Sequence, residues 1–252
     1  MKTAIGMALT QNLTELNLST MVRYLKEYLR QARENGMDYD EFLFGLTRLE
    51  LQVRAEKRFK RLLREAKFPF MKTLETFDYD AALGLDRNRI ETLSAGEYIW
   101  QRRNIIFTGK KGTGKTHLAV AFGFEACKQG IGTRFVTACR LVNELVEARD
   151  RKNLSRVIQK NSRYGLLILD DLGCVPFSEE EAELLFHVLS GRYERGSVII
   201  TTNLEFEEWT QNFGEPNLTE VLLDRLTHKA YIISCAWPSY RLSERLKGCV
   251  VH

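Results

Sequence analysis

The sequence predicts an α/β protein, with a small all-helical segment ahead of a parallel sheet that lies between helices. Three observations predict it. Residues 1–69 show helical spacing only. From about residue 104, short apolar runs alternate with amphipathic stretches, as in a parallel sheet covered on both faces. A glycine-rich loop stands between the first apolar run and the helix that follows it.

The elements justify this in order. Leu18, Met21, Val22, Leu25, Leu29 and Ala32 follow helical spacing, and Gly36 is a helix stop. Asp38 and Glu41 form a capping box. The long helix they open carries Phe42, Leu46, Leu49 and Val53 on one face and ends before Pro69. Residues 70–100 read as a linker into the second domain, so the expected domains are 1–69 and 70–252. Five strands are expected: Ile105–Thr108, Thr133–Thr137, Leu166–Asp170, Ser197–Thr202 and Tyr231–Ser234. Between the third and fourth lies a helix with Leu184, Leu185, Val188 and Leu189, capped by Ser178 and Glu181 and closed by Gly196.

The 252 residues are 44% hydrophobic and 28% charged, enough for a real core, which excludes collagen-like and disordered classes. No apolar stretch approaches the roughly 20 residues a membrane helix needs. Residues 1–18 lack the apolar block of a secretory signal. The five cysteines are scattered and form no C-x-x-C pair, against a disulfide scaffold or zinc site. A reduced, cytoplasmic protein without membrane attachment is expected. The charge is uneven: residues 1–70 hold 13 Lys/Arg against 9 Asp/Glu, and the rest 24 of each. The whole surplus lies in the helical segment, which points to an acidic partner.

Gly109-Lys110-Lys111-Gly112-Thr113-Gly114-Lys115-Thr116 fits G-x-x-x-x-G-K-[ST] and stands between a strand and a helix containing His117. Glycines let the backbone wrap around phosphates, and the helix N-terminus directs N–H groups at them. In this pattern Lys115 reaches the terminal phosphates and Thr116 ligates Mg2+. Asp170 and Asp171 end the third strand, at the edge where open α/β sheets bind ligands. Asp170 is expected to share the metal with Thr116, and Asp171 to polarise water. Asn203, at the end of the fourth strand, can orient that water beside the γ-phosphate. ATP and Mg2+ are therefore the expected cofactors.

Thr113–Ala119, Leu166–Gly173 and the strand end at Asn203 resemble the AAA+ ATPases of the DnaA/DnaC group. Val175–Ser178, Ala182–Phe186, Arg192–Ile200, Glu208-Trp209 and Leu222–His228 resemble more closely the IstB family, helper ATPases of insertion-sequence transposition. The resemblance implies an AAA+ P-loop ATPase that binds duplex DNA, self-assembles on it with ATP, and acts with an IstA-like transposase in target-site selection. It implies an arginine finger at Arg225 and a sensor arginine at Arg241. Eleven residues follow Arg241, so a reduced C-terminal lid is expected. A DnaC-like helicase loader is the alternative.

Two basic stretches are the expected DNA contacts: Arg54, Lys57, Arg58, Lys60, Arg61 and Arg64, then Arg149, Arg151, Lys152, Arg156 and Lys160. The related initiators and loaders carry an extra DNA-facing helix in the second region. Neither stretch has a groove-reading motif, so contact with phosphates and weak sequence preference is expected.

Overall fold

The computed structural model describes residues 2–173, 175–209, 213 and 216–240. Arg241, expected as a sensor, lies outside the described residues, as do Cys174 and Cys249. The chain divides into two compact units, Met1–Arg61 and Leu62–His252.

The first unit is helical: α1 (Lys2–Glu15), α2 (Ser19–Asn35) and the first part of α3 (Tyr39–Ala66). Met21, Leu25 and Leu46 form its small core. Gly36 terminates α2 in the left-handed region, at φ 62°. The Asp38–Glu41 box is present, with Glu41 N–H donating to Asp38 Oδ1 at 2.7 Å. The α2 N-terminus has no side-chain cap of its own. Glu50, buried on α3, accepts instead from the N–H groups of Thr20 (2.8 Å) and Met21 (3.0 Å). Burial alone raises the Glu50 pKa, but these donors and Arg54 bring it below the ordinary glutamate value. The long helix ends at Ala66, ahead of Pro69, with Lys67 left-handed at φ 58°.

The second unit is a five-stranded parallel sheet in the order β2-β3-β4-β1-β5. The strands are β1 (Asn104–Thr108), β2 (Thr133–Thr137), β3 (Leu166–Leu172), β4 (Ser197–Thr202) and β5 (Ala230–Ser234). Alternate residues of the central strands serve two cores. Ile105, Phe107, Ile168 and Ile199 meet Ile90, Tyr98, Leu118 and Phe122 on one face. Ile106, Leu167, Leu169 and Ile200 meet Leu141, Leu145, Leu185 and Leu222 on the other. Both faces being buried explains why these strands read as continuous apolar runs.

The helices of this unit are α4 (Arg87–Ser94), α5 (Glu97–Trp100), α6 (Lys115–Lys128), α7 (Ala138–Asp150), α8 (Leu154–Ser162), α9 (Glu179–Ser190) and α10 (Pro216–Thr227). Two details differ from expectation. The 70–100 linker contains α4 and α5, too short to stand out by periodicity. The helix opened by the Ser178–Glu181 capping box ends at Ser190, not at Gly196. Arg192 explains this: its guanidinium turns inward and gathers the carbonyls of Asn161 (2.7 Å), Tyr164 (3.0 Å), Gly165 (3.4 Å) and Ser197 (2.9 Å).

Candidate nucleotide site

The phosphate loop leaves the C-terminal end of β1. Gly109 adopts φ 135°, and a Cβ there would collide with the Cys235 carbonyl. Gly114 adopts φ 88°, and its Cβ would lie 2.9 Å from the Phe77 ring. These positions need glycine for both reasons. Lys115, the first residue of α6, is almost fully buried, and its ammonium donates to the carbonyls of Gly109 (2.7 Å) and Lys110 (2.8 Å).

Beside the loop, the hydroxyls of Thr116 (2.8 Å) and Thr201 (2.6 Å) both donate to Asp170 Oδ1. Burial raises the Asp170 pKa above the usual carboxylate range, opposed in part by these two donors. The register of β3 against β4 shifts between Leu169 and Leu172. Asp171 lies in that shift with φ 55°, and its N–H donates to Thr201 Oγ1 at 2.9 Å. An irregularity of this kind re-aims a side chain at a sheet edge. It leaves Asp170 buried and Asp171 exposed.

A cavity of about 440 Å³ opens over the loop. Lys111, Gly112, Thr113, Gly114, Lys115, Thr116 and His117 line it, together with Asp171 and Asn203. The structure thus brings Lys111–His117 of the expected loop, the second aspartate and the asparagine to one cavity; Gly109 and Lys110 are not in its lining, and Asp170 is bonded to Thr116. A carboxylate that accepts from two threonine hydroxyls on one oxygen, with the Lys115 charge nearby, fits a Mg2+ site. Among the described residues no group of three His, Cys, Asp or Glu could hold a metal alone. A cation here would share its ligands with a phosphate chain.

Several lining residues carry no sequence signal. Phe70, Lys72, Thr76, Phe77, Asp78 and Ala81 come from the segment read as linker. His117 ties that segment to α6: its Nε2 lies 2.9 Å from Thr73 O, and its ring packs edge-on to Phe77. Burial lowers the His117 pKa, opposed in part by this bond, in which Nε2 donates to the carbonyl. Trp237 and Tyr240 line the other side, beyond β5.

Arg225 lies elsewhere. The carbonyl of Leu226, next in the chain, accepts from the Asn104 side chain at 3.0 Å, at the start of β1. The phosphate loop follows the far end of β1, about 13 Å along the strand. Arg225 packs over the Phe186 ring, 5.4 Å from its centroid.

The basic residues sort into two groups. Arg54 bonds Glu50 at 2.7 Å and the Asn17 carbonyl. Lys60 bonds Glu56 at 2.5 Å, Arg149 bonds Glu180 at 2.7 Å and Asp150 at 3.1 Å, and Arg151 pairs with Glu147 at 3.5 Å. Arg61 is exposed on the same α3 stretch. Lys57, Arg58, Arg64, Lys152, Arg156 and Lys160 are exposed and ion-pair with none of the described residues. α7 and α8 occupy the β2–β3 connection, and Arg156 and Lys160 stand one turn apart on α8.

A parallel sheet in this order, a phosphate loop after β1 and an acidic pair at the end of β3 define an AAA+ P-loop protein. Solved structures share the fold. The DnaC helicase loader superposes with a TM-score of 0.55 at 24% identity, covering 69% of this chain and 98% of that one. AMPPCP-bound DnaA from Aquifex aeolicus gives 0.58 at 20% identity, covering 72% and 56%. Residues 11–248 match the family described as IstB-like ATP binding protein, and the chain belongs to that family. It is 35% identical over 239 residues to the insertion sequence IS21 ATP-binding protein of Pseudomonas aeruginosa, covering 95% of this chain and 90% of that one. It is equally 35% identical over 230 residues to the IS5376 counterpart of Geobacillus stearothermophilus, covering 91% and 92%. No described helix is long and apolar enough to cross a membrane.

Proposed function

We propose that this chain is a cytoplasmic, ATP-dependent regulator of transposition. It binds duplex DNA, assembles on it with further copies of itself, hydrolyses ATP and acts with an IstA-like transposase in target-site selection. The observation that carries this reading is the cavity over the phosphate loop, with Asp171 and Asn203 at its lining and Asp170 bonded to Thr116.

The loop from Gly109 to Thr116 cradles the phosphates, and Lys115 leaves its two loop carbonyls to meet the β- and γ-phosphates. Thr116 and Asp170 hold Mg2+, which supplies charge neutralisation on the phosphate oxygens. Asp171, the exposed member of the pair, polarises the attacking water, and Asn203 orients it. Asp171→Asn should therefore bind ATP as the native chain does, yet turn it over poorly.

Arg225, at the opposite edge of the sheet, completes the site of a neighbouring subunit. DNA gathers subunits through phosphate contacts from the exposed Lys57, Arg58, Arg64, Lys152, Arg156 and Lys160, with Arg54, Lys60, Arg61, Arg149 and Arg151 adding field at shorter range. Added salt then weakens DNA binding steeply.

The test mixes Arg225→Ala with Lys115→Ala subunits on DNA. Each alone is inactive, and the mixture recovers ATPase activity where an intact loop meets an intact arginine. Mixed assemblies without any recovery would refute action between subunits. The likeness in fold to the DnaC loader favours one second reading, helicase loading. It predicts capture of a hexameric helicase and single strands in place of transposase and duplex.

A further inference from the structure

Five carbonyls of the phosphate loop, those of Gly109, Lys110, Gly112, Thr113 and Gly114, accept hydrogen bonds. Lys115 takes those of Gly109 and Lys110, and Leu118 N–H takes that of Gly114 at 3.0 Å. The Thr113 hydroxyl also donates to the Lys110 carbonyl at 2.9 Å, and two further donors come from the segment after β5. Tyr240 N–H donates to the Gly112 carbonyl at 3.0 Å, and the Trp237 indole N–H donates to the Thr113 carbonyl at 2.8 Å. This segment is itself anchored to the start of the loop, where Cys235 N–H donates to Thr108 O at 2.7 Å.

A trans peptide is planar, so its carbonyl and the following N–H point to opposite sides. Holding Thr113 O against the indole turns the Gly114 N–H away from it. Holding Gly112 O does the same for the Thr113 N–H. Among the described residues, no backbone carbonyl accepts from the N–H groups of Gly112, Thr113 or Gly114. Such groups, fixed in one orientation, are what an anion recruits. Trp237 is nearly buried, so its hydrogen bond is sheltered from water.

We propose that Trp237 is a positioning residue of the phosphate site: its indole N–H orients the Thr113–Gly114 peptide so that the Gly114 N–H meets the phosphate chain. The proposal rests on the nucleotide reading of this cavity. It assigns the segment Cys235–Tyr240 a function in phosphate binding, independent of any contact with the base.

Two variants test it. Trp237→Phe keeps an aromatic ring and removes the donor. Benzothienylalanine at position 237, an isostere with sulfur in place of N–H, keeps the shape as well. Calorimetric titration with ATP and with inorganic tripolyphosphate, both with Mg2+, reads the effect, and thermal melting checks the fold. We expect the isostere to melt as the native protein does. Both ligands should bind about three- to tenfold more weakly, by the same factor, which is the range of one neutral hydrogen bond. Undiminished tripolyphosphate affinity in the isostere overturns the proposal, including the case where ATP alone weakens, which would make Trp237 a base contact. A native protein that binds neither ligand overturns the nucleotide reading and this inference with it. If Trp237→Phe fails to fold, the isostere decides alone.

Discussion

The two edges of the sheet each bury a charge, and the two charges are treated differently. At the C-terminal edge Asp170 has two hydroxyl donors, both on Oδ1, and burial raises its pKa. At the N-terminal edge Arg192 is fully buried and its two terminal nitrogens reach four carbonyls. Burial still lowers the Arg192 pKa to about 10, and its Nε, also buried, has no hydrogen-bond partner among the described residues. Arg192 is a structural joint between the end of α8 and the starts of β3 and β4, made through its two terminal nitrogens. Asp170 is offset only in part, by its two hydroxyl donors and the nearby Lys115 charge, which leaves capacity for a cation. A buried charge therefore marks function by what stands beside it, not by its burial alone: Asp170 bonds Thr116 of the phosphate loop, whereas Arg192 bonds main-chain carbonyls.

The largest expected effect breaks the C-terminal edge. Lys115→Ala should reduce ATP turnover to background, because no other cation among the described residues bonds the Gly109 and Lys110 carbonyls. Turnover at the native level, in a steady-state assay, would overturn the assignment of this edge. Arg225→Ala tests the other edge. On the proposed reading it leaves nucleotide binding by an isolated subunit within about twofold, and lowers DNA-stimulated turnover about a thousandfold. Loss of nucleotide binding in the isolated subunit would instead place Arg225 at its own site.

Arg192→Leu should act on stability alone. It removes the guanidinium from four carbonyls, of which Gly165 O keeps the Ser197 N–H; an unsatisfied buried acceptor costs roughly 1–3 kcal/mol, so a loss of about 3 kcal/mol is expected in denaturant titration. A variant as stable as the native chain would show that the joint is redundant.

Much of this contrast was legible in the sequence, but only at one edge. The loop, Asp170, Asp171 and Asn203 follow strand ends, and a strand end fixes position in space once the strand is recognised. The central strands β1, β3 and β4 were legible because burial on both faces forces continuous apolar runs. Arg192 read only as part of a resemblance, because nothing in an exposed-looking Arg-Tyr-Glu-Arg run shows that one arginine turns inward. Glu50 was silent for the same reason: it caps a helix 30 residues away, through a contact that no local pattern encodes. Trp237 and the 70–81 wall of the cavity come from segments without periodicity. The paired state of Arg54 and Arg149 was hidden too, since their acidic partners depend on packing as well as spacing.

The smallest expected effect sharpens the comparison most, because it asks whether Asp170 is under-compensated. Burial raises its folded pKa above the unfolded value, so the folded state holds the proton more tightly than the unfolded one. The sign follows from linkage: stability without nucleotide falls as pH rises from the ordinary carboxylate value to the raised folded value, then levels off. Asp170→Asn removes that loss, and its amide oxygen still accepts from Thr116 and Thr201. At neutral pH, without Mg2+ or nucleotide, the variant should be more stable by about 1 kcal/mol, at the low end of what replacing a desolvated charge yields. That corresponds to roughly 2–4 °C in melting temperature for a chain of this size. Through the same acid window the advantage should vanish as the native carboxylate protonates. With Mg2+ and ATP the order should reverse, since only the native carboxylate gains a cation. Thermal melting across pH, with and without Mg-ATP, measures all three. If Asp170→Asn melts below the native chain at neutral pH without ligand, the carboxylate is already satisfied by its hydroxyl donors, and the difference between the two edges disappears.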